Sequence, residues 1–219
     1  MLRISLYELY HTLLDIYGYQ NWWPVDEHYH KSRGTDPRDE IIIGTILTQG
    51  TAWKNVEKAL ENIKKEGELS LRFIRKTNHE ELAKLIKPSG FYKAKAERLK
   101  RVANFFNPTD VVRKVSREEL LKIKGVGKES ADAILLYAGD KLTFVVDAYT
   151  IRLFKRLYNI EGDYDRLKAL IEDSIPRDIT IYKEFHALID THAKMYCKST
   201  PRCGECFLKD FCISAIQSF

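Results

Sequence analysis

Apolar residues recur at spacings of three and four along almost the whole of this chain, and that period is what most restricts its fold. Leu2, Leu6, Leu9, Leu13 and Ile16 form one such stripe, which ends near Gly18. EIIIGTILTQGTAWKNVEKALENI reads as two helices broken around Gly50. LSLRFIRK and HEELAKLIKP are short helices, the second stopped by Pro88. SGFYKAKAERLKRVANFF opens on a Ser-Gly turn and carries Ala94, Leu99, Val102 and Phe106 inward on a basic helix. Ser116 and Glu119 make a capping box ahead of LLKI. DAYTIRLFKRLYNI, YDRLKALIEDSI and YKEFHALIDTHAKMYC complete a set of about ten helices. KLTFVV alone looks like a strand, and it is too short and lonely to build a sheet. The expected class is all-α, with no internal repeat.

With 219 residues, 44% of them hydrophobic and 31% charged, the chain has the composition of a globular protein, neither disordered nor membrane-like. The length suits one ordinary domain or two small ones sharing a core. The opening MLRISLYELYHTLLDIYG lacks a signal pattern, and no apolar run approaches membrane-spanning length. The reading is a soluble, cytoplasmic protein. Its net charge of +5 is compatible with a polyanionic partner without requiring one.

LLKIKGVGKESADAILL is the most informative segment. Gly125 and Gly127 flank Val126 between two amphipathic helices, which allows a tight turn with positive φ and no Cβ in the way. Such a turn leaves backbone N–H groups pointing outward at the start of the second helix, where the macrodipole favours an anion. Lys124 and Lys128 bracket the turn and add charge, Val126 packs inward, and Ser130 and Ala131 let two helices approach. An ordinary helix–turn–helix joint is the plainer alternative, because Gly-x-Gly alone is weak.

Four cysteines, Cys197, Cys203, Cys206 and Cys212, form a C-x5-C-x2-C-x5-C array near the end of the chain. So local a cluster is a metal device and not a chain-wide disulfide framework. Structural zinc and a [4Fe–4S] cluster are both open on the residues alone. Zinc ribbons usually pair two C-x2-C knuckles, and this array has one.

IKGVGKESADAIL resembles the helix-hairpin-helix of the endonuclease III superfamily of DNA glycosylases, and the cysteine array resembles the cluster loop at the C-terminus of those enzymes. The resemblance implies a [4Fe–4S] cofactor, although the first gap is one residue shorter than the common form. It implies that Lys198, Arg202 and Lys209 make a second phosphate contact. It also implies a catalytic aspartate at the start of the helix after the hairpin, which here is Asp147 in FVVDAYTIRL. On its own Asp147 is a good helix N-cap. The family's lyase lysine stands two positions after the second hairpin glycine, a position held here by Glu129. Lys128 is one residue too early and turned by about 100°. A glycosylase without lyase activity follows from that reading.

Trp22-Trp23-Pro24, KPSGFY, KGVGKESADAIL and VVD together are most similar to the bacterial 3-methyladenine DNA glycosylases of this superfamily. What that implies is a pocket for alkylated purines built with Trp22, Trp23, Trp53 and Glu129, with Tyr149 and Lys194 as further candidates. Electron-poor or cationic purines stack well on indole faces. Adjacent tryptophans cannot both face one direction, and core packing is the plainer role for either. Gln49 lies where members of the superfamily insert a side chain into the gap left by the flipped base. The expected organisation is a helical barrel over residues 34–139, ending in the hairpin at about 116–138, with residues 1–33 and 140–219 as a second helical domain holding the cluster loop 197–212. The expected partner is double-stranded DNA with a damaged base, met by a monomeric, nucleoid-associated enzyme. A mismatch or oxidised-base glycosylase and a non-catalytic hairpin module are the alternatives.

Overall fold

The computed structural model describes residues 3–217, so Leu2 lies outside the described residues. Among these the chain is all-helical, without a strand. In chain order α1 (Leu6–Tyr17) is followed by α2 (Glu27–Arg33), α3 (Pro37–Thr48), α4 (Trp53–Glu66), α5 (Leu71–Lys76), α6 (His79–Leu85), α7 (Tyr92–Phe105), α8 (Arg117–Leu121) and α9 (Lys128–Ala133). Then come α10 (Ala148–Tyr158), α11 (Tyr164–Ser174), α12 (Ile179–Met195) and α13 (Ile213–Ile216). No described helix is long and apolar enough to cross a membrane.

The chain divides into two compact units, Trp23–Lys141 on the one hand and, on the other, the residues up to Trp22 with those from Leu142. The first boundary therefore falls before α2, not after it as expected. Buried charge explains the difference. His30 on α2 places Nε2 2.9 Å from the Glu40 carboxylate on α3, the Asp26 amide donates to the same oxygen at 3.1 Å, and Thr35 holds His30 Nδ1 at 2.7 Å. A carboxylate inside a fold needs such partners, and here they tie α2 to α3.

Within the Trp23–Lys141 unit, α3 is the central rod. Ile42, Ile43, Ile46 and Leu47 have no exposure, and burying each contributes about 1.5–3 kcal/mol. Val56 and Ile63 of α4, Leu99 and Val102 of α7, and Phe106 are equally buried, and both helices pack against α3. On α7 the inward residue is Ala96, not Ala94, which is exposed. The helix that begins with α9 widens after Ala133 into a π-turn over Ile134–Ala138 and closes with Gly139 N donating to Ile134 O at 3.0 Å.

In the other unit, α1 starts at a Ser5–Glu8 capping box and ends at Gly18 with φ +68°. Leu6, Leu9 and Leu13 are buried while Ile16 is 51% exposed, so the apolar stripe stops one turn early. Tyr10 and Phe144 both meet Phe185 of α12 at 5.8 Å between ring centroids. The strand-like stretch is extended but unpaired with any strand. Phe144 N donates to Glu172 Oε1 at 2.7 Å and Val146 N to Tyr164 Oη at 3.3 Å, so side chains take the place of a sheet partner.

Candidate functional site

The hairpin of the Trp23–Lys141 unit is built around one special glycine. Gly125 has φ +98°, and a Cβ there would lie 2.5 Å from Arg98 Cγ. Gly127 has φ −93° and ψ −179° with open space around it, so the positive φ of the turn belongs to Gly125. Val126 is 6% exposed, its N–H donating to Ile123 O at 2.9 Å. Lys124, Gly127 and Lys128 are exposed, as is Glu129, the second residue of α9. Gly125→Ala is expected to destabilise the free protein by about 1–3 kcal/mol through backbone strain alone. Gly127→Ala leaves thermal unfolding unchanged and weakens only DNA binding. Thermal melts beside duplex titrations of the two variants check this.

Gln49 is fastened to that hairpin. Its Nε2 donates to Gly125 O at 3.1 Å and to Ser130 Oγ at 2.9 Å, while its Oε1 accepts from Arg98 Nη1 at 2.6 Å. Arg101 Nη1 reaches Lys124 O at 3.3 Å, so α7 supports the turn both directly and through Gln49. Lys95, fully buried on α7, donates to Leu47 O at 2.8 Å and Ser89 O at 2.6 Å, holding the end of α3 from which Gln49 projects. Burial pulls its ammonium down to about 8, with Arg98 adding repulsion.

Trp22 and Trp23 fall on opposite sides of the unit boundary. Trp23 meets Trp53 edge-on at 5.5 Å and 85°, and Tyr137 at 5.6 Å. A Cβ on Gly44 of α3 would sit 2.9 Å from Trp23 Cζ2, so glycine there makes room for the indole. Trp53 is half-buried and lines an open cavity of about 340 Å³ together with Asp26, Glu40, Glu57, Glu61 and Lys64, which pairs with Asp26 and Glu40.

In the other unit Asp147 caps α10. Its Oδ1 accepts from Thr150 N at 2.7 Å and Thr150 Oγ1 at 2.8 Å. The second oxygen, Oδ2, lies 3.8 Å from His186 Nε2, with both side chains largely covered. Tyr149 is flanked by Arg152 at 5.0 Å and by Lys194 at 5.5 Å from its ring centroid, which brings two of the expected pocket residues together. Lys194 also pairs with Asp190 at 2.6 Å. Glu184 carries no sequence signal of its own. Buried on α12, it accepts Gln20 N at 2.6 Å and Asn21 N at 2.9 Å, fixing the backbone just before Trp22.

The four cysteines share one cavity of about 80 Å³, otherwise lined by apolar side chains such as Leu153, Leu157 and Leu208 and by Arg156 and His192. Burial pushes the Cys206 thiol up to about 11 and raises Cys212, because an apolar cavity disfavours the charged thiolate. Arg152 Nε donates to Cys197 O at 2.6 Å, and Arg156 to Lys198 O at 2.5 Å and Ser199 O at 2.9 Å, so α10 shapes the loop. Arg202 and Lys209 are exposed on it, and Lys198 is half-buried.

The HhH-GPD superfamily of base excision DNA repair proteins matches residues 43–177, from the middle of α3 through the hairpin and Asp147. A Methanocaldococcus jannaschii protein that carries the name of a DNA repair glycosylase is 45% identical, over 95% of this chain and 96% of its own. Endonuclease III of Thermotoga maritima is 31% identical over 81% of this chain and 83% of its own. Among solved structures, an H. pylori 3-methyladenine DNA glycosylase bound to 1,N6-ethenoadenine is 31% identical with a TM-score of 0.74, covering 87% of this chain and 98% of that one. An endonuclease III–DNA complex, 18% identical, shares the fold at a TM-score of 0.76 over 96% of this chain and 94% of its own. With that family matching more than half of the chain and a relative 45% identical over almost its whole length, the chain belongs to the HhH-GPD superfamily of base excision DNA repair proteins.

Proposed function

We propose that this protein is a monofunctional DNA glycosylase that hydrolyses the N-glycosidic bond of alkylated purines such as 3-methyladenine. The observation that carries the substrate class is Trp53, whose indole borders an open cavity with the carboxylates of Glu57 and Glu61 on its walls, beside Asp26 and Glu40, which Lys64 pairs with at 3.1 and 3.5 Å. An alkylated purine is electron-poor or cationic, and an indole face beside negative charge suits it better than it suits a neutral base. The 31% identity to a 3-methyladenine glycosylase supports the same class.

The target nucleotide must leave the duplex before its sugar carbon can be reached. The hairpin's exposed turn and Lys124 and Lys128 grip the backbone phosphates while this happens. Breaking the base–sugar bond builds positive charge on the sugar. Asp147 spends Oδ1 on the start of α10 and keeps Oδ2 for that charge or for the proton of an attacking water. Alkylated purines are good leaving groups, so few polar groups are needed to activate them.

Glu129 at the lyase position leaves no amine there to form a Schiff base. Borohydride is therefore expected to trap no covalent adduct between the protein and damaged DNA. An adduct lost in Lys128→Ala would mean that Lys128 is the nucleophile, and one that persists would point to another amine. Duplexes each carrying one defined lesion test the substrate class, with preference for thymine mismatches or 8-oxoguanine as the outcome against it.

Four cysteines line one partly open cavity, and their sulfurs are the donor set a [4Fe–4S] cluster takes, so Cys197, Cys203, Cys206 and Cys212 would hold it. A single zinc ion with Zn–S bonds of about 2.3 Å would need less room. When bound, the cluster ties down loop 197–212, where Arg202 and Lys209 face solvent for contact with phosphates.

A further inference from the structure

A line of polar side chains that the excision chemistry does not use leads from α1 to the cysteine cavity. Tyr17 Oη lies 3.0 Å from His192 Nδ1, and His192 Nε2 lies 3.6 Å from Cys206 Sγ. The imidazole is 1% exposed and walled by the rings of Tyr17, Tyr196 and Phe207 at 6.2, 5.6 and 5.1 Å. Solvent is thus kept from both ring nitrogens, and each faces one protein partner.

Protonation follows from what those partners can do. A cysteine bound to metal is a thiolate, which accepts hydrogen bonds and donates none. A neutral imidazole has one N–H, and it is productive only on Nε2, facing Cys206. Nδ1 is then the acceptor and the Tyr17 hydroxyl the donor. Both groups are satisfied in one direction only, so the tautomer is fixed.

We propose that Tyr17 and His192 form a hydrogen-bond relay that donates to the Cys206 thiolate and raises the reduction potential of the iron–sulfur cluster. The inference rests on the cluster reading above. Reduction adds one negative charge, which spreads onto the thiolates. An N–H aimed at a sulfur stabilises the reduced form more than the oxidised one, and aromatic walls strengthen that bond by excluding water. Arg156 Nη1, 3.4 Å from Cys197 Sγ, is a second donor, but it is also committed to the loop carbonyls of Lys198 and Ser199. His192 has no such second duty.

The test compares the whole protein with His192→Phe, His192→Gln and Tyr17→Phe, reading absorbance near 400 nm, iron and sulfide content, and then the cluster's midpoint potential by spectroelectrochemistry. Wild type is expected to be brown. His192→Phe is expected to shift the potential negative by a threefold to tenfold change in the one-electron equilibrium, about 30–60 mV at 59 mV per decade. His192→Gln retains an N–H donor and is expected to recover part of the shift. Tyr17→Phe releases the tautomer and is expected to move the potential the same way by less. Brown variants whose potentials all equal that of wild type overturn the relay. If His192→Phe fails to take up the cluster, His192→Gln and Tyr17→Phe decide the matter. A colourless wild type with one zinc per chain overturns the cluster reading itself and the relay with it, an outcome distinct from a brown protein with unmoved potentials.

Discussion

Asp147→Asn is expected to lower single-turnover excision of 3-methyladenine by about 10²–10⁴-fold while leaving the fold and DNA affinity in place. The separation is possible because the two carboxylate oxygens have different duties. Oδ1 caps α10 by accepting from Thr150 N and Thr150 Oγ1, and an asparagine oxygen caps as well as an aspartate oxygen. Oδ2, toward His186, is the atom whose charge is lost. Such a loss corresponds to about 3–5 kcal/mol of transition-state stabilisation. Circular dichroism, a thermal melt and a titration with abasic-site DNA should all match wild type. If excision survives the substitution, the charge on Asp147 is not what stabilises the breaking bond.

The second large effect belongs to Trp53. Replacing it with alanine should slow excision of alkylated purines by about 5- to 150-fold, the equivalent of about 1–3 kcal/mol for one lost base-stacking contact. Its edge-on contact with Trp23 complicates the measurement, since an aromatic pair contributes about 0.5–1.5 kcal/mol to stability. Trp53→Phe separates the two effects by keeping a ring for both neighbours. Affinity for DNA that already carries an abasic site should not change, because that complex has no base in the pocket. Excision, abasic-site affinity and melting temperature that fall in parallel would make Trp53 a core residue only.

Local chemistry is legible in the amino-acid sequence itself. The Ser116–Glu119 capping box, the break at Gly50 and the inward Val126 each depend on residues within a few positions of one another, and each stands where its pattern puts it. Long-range contacts carry the rest. Gln49 binds Arg98 and the hairpin across 49 and 76 residues, and Glu184 reaches back 164 residues to Gln20, so no window of sequence contains both partners. The domain boundary departs from expectation for the same reason, because α2 is pinned through His30 to a buried Glu40 ten residues further on. The strand-like stretch has the burial its pattern suggests, but its backbone partners are the side chains of Glu172 and Tyr164 rather than a second strand.

The same distinction applies to the glycines of the hairpin. Two identical residues two positions apart look interchangeable in sequence, yet only Gly125 occupies a conformation closed to other residues, and only it sits over the Arg98 stem. Gly127 serves, on this reading, to let a phosphate approach the start of α9 without a methyl group in the way.

The most direct measurement of the proposed activity is incubation with methylated duplex DNA, followed by chromatography of the released bases and by gel analysis of the strands with and without alkali. The expected result is free 3-methyladenine, abolished in Asp147→Asn, with strands that stay whole until alkali cleaves them at the abasic sites. Strands cut without alkali would contradict the monofunctional mechanism. No released alkylated purine, together with excision of thymine or 8-oxoguanine from defined duplexes, would contradict the substrate class.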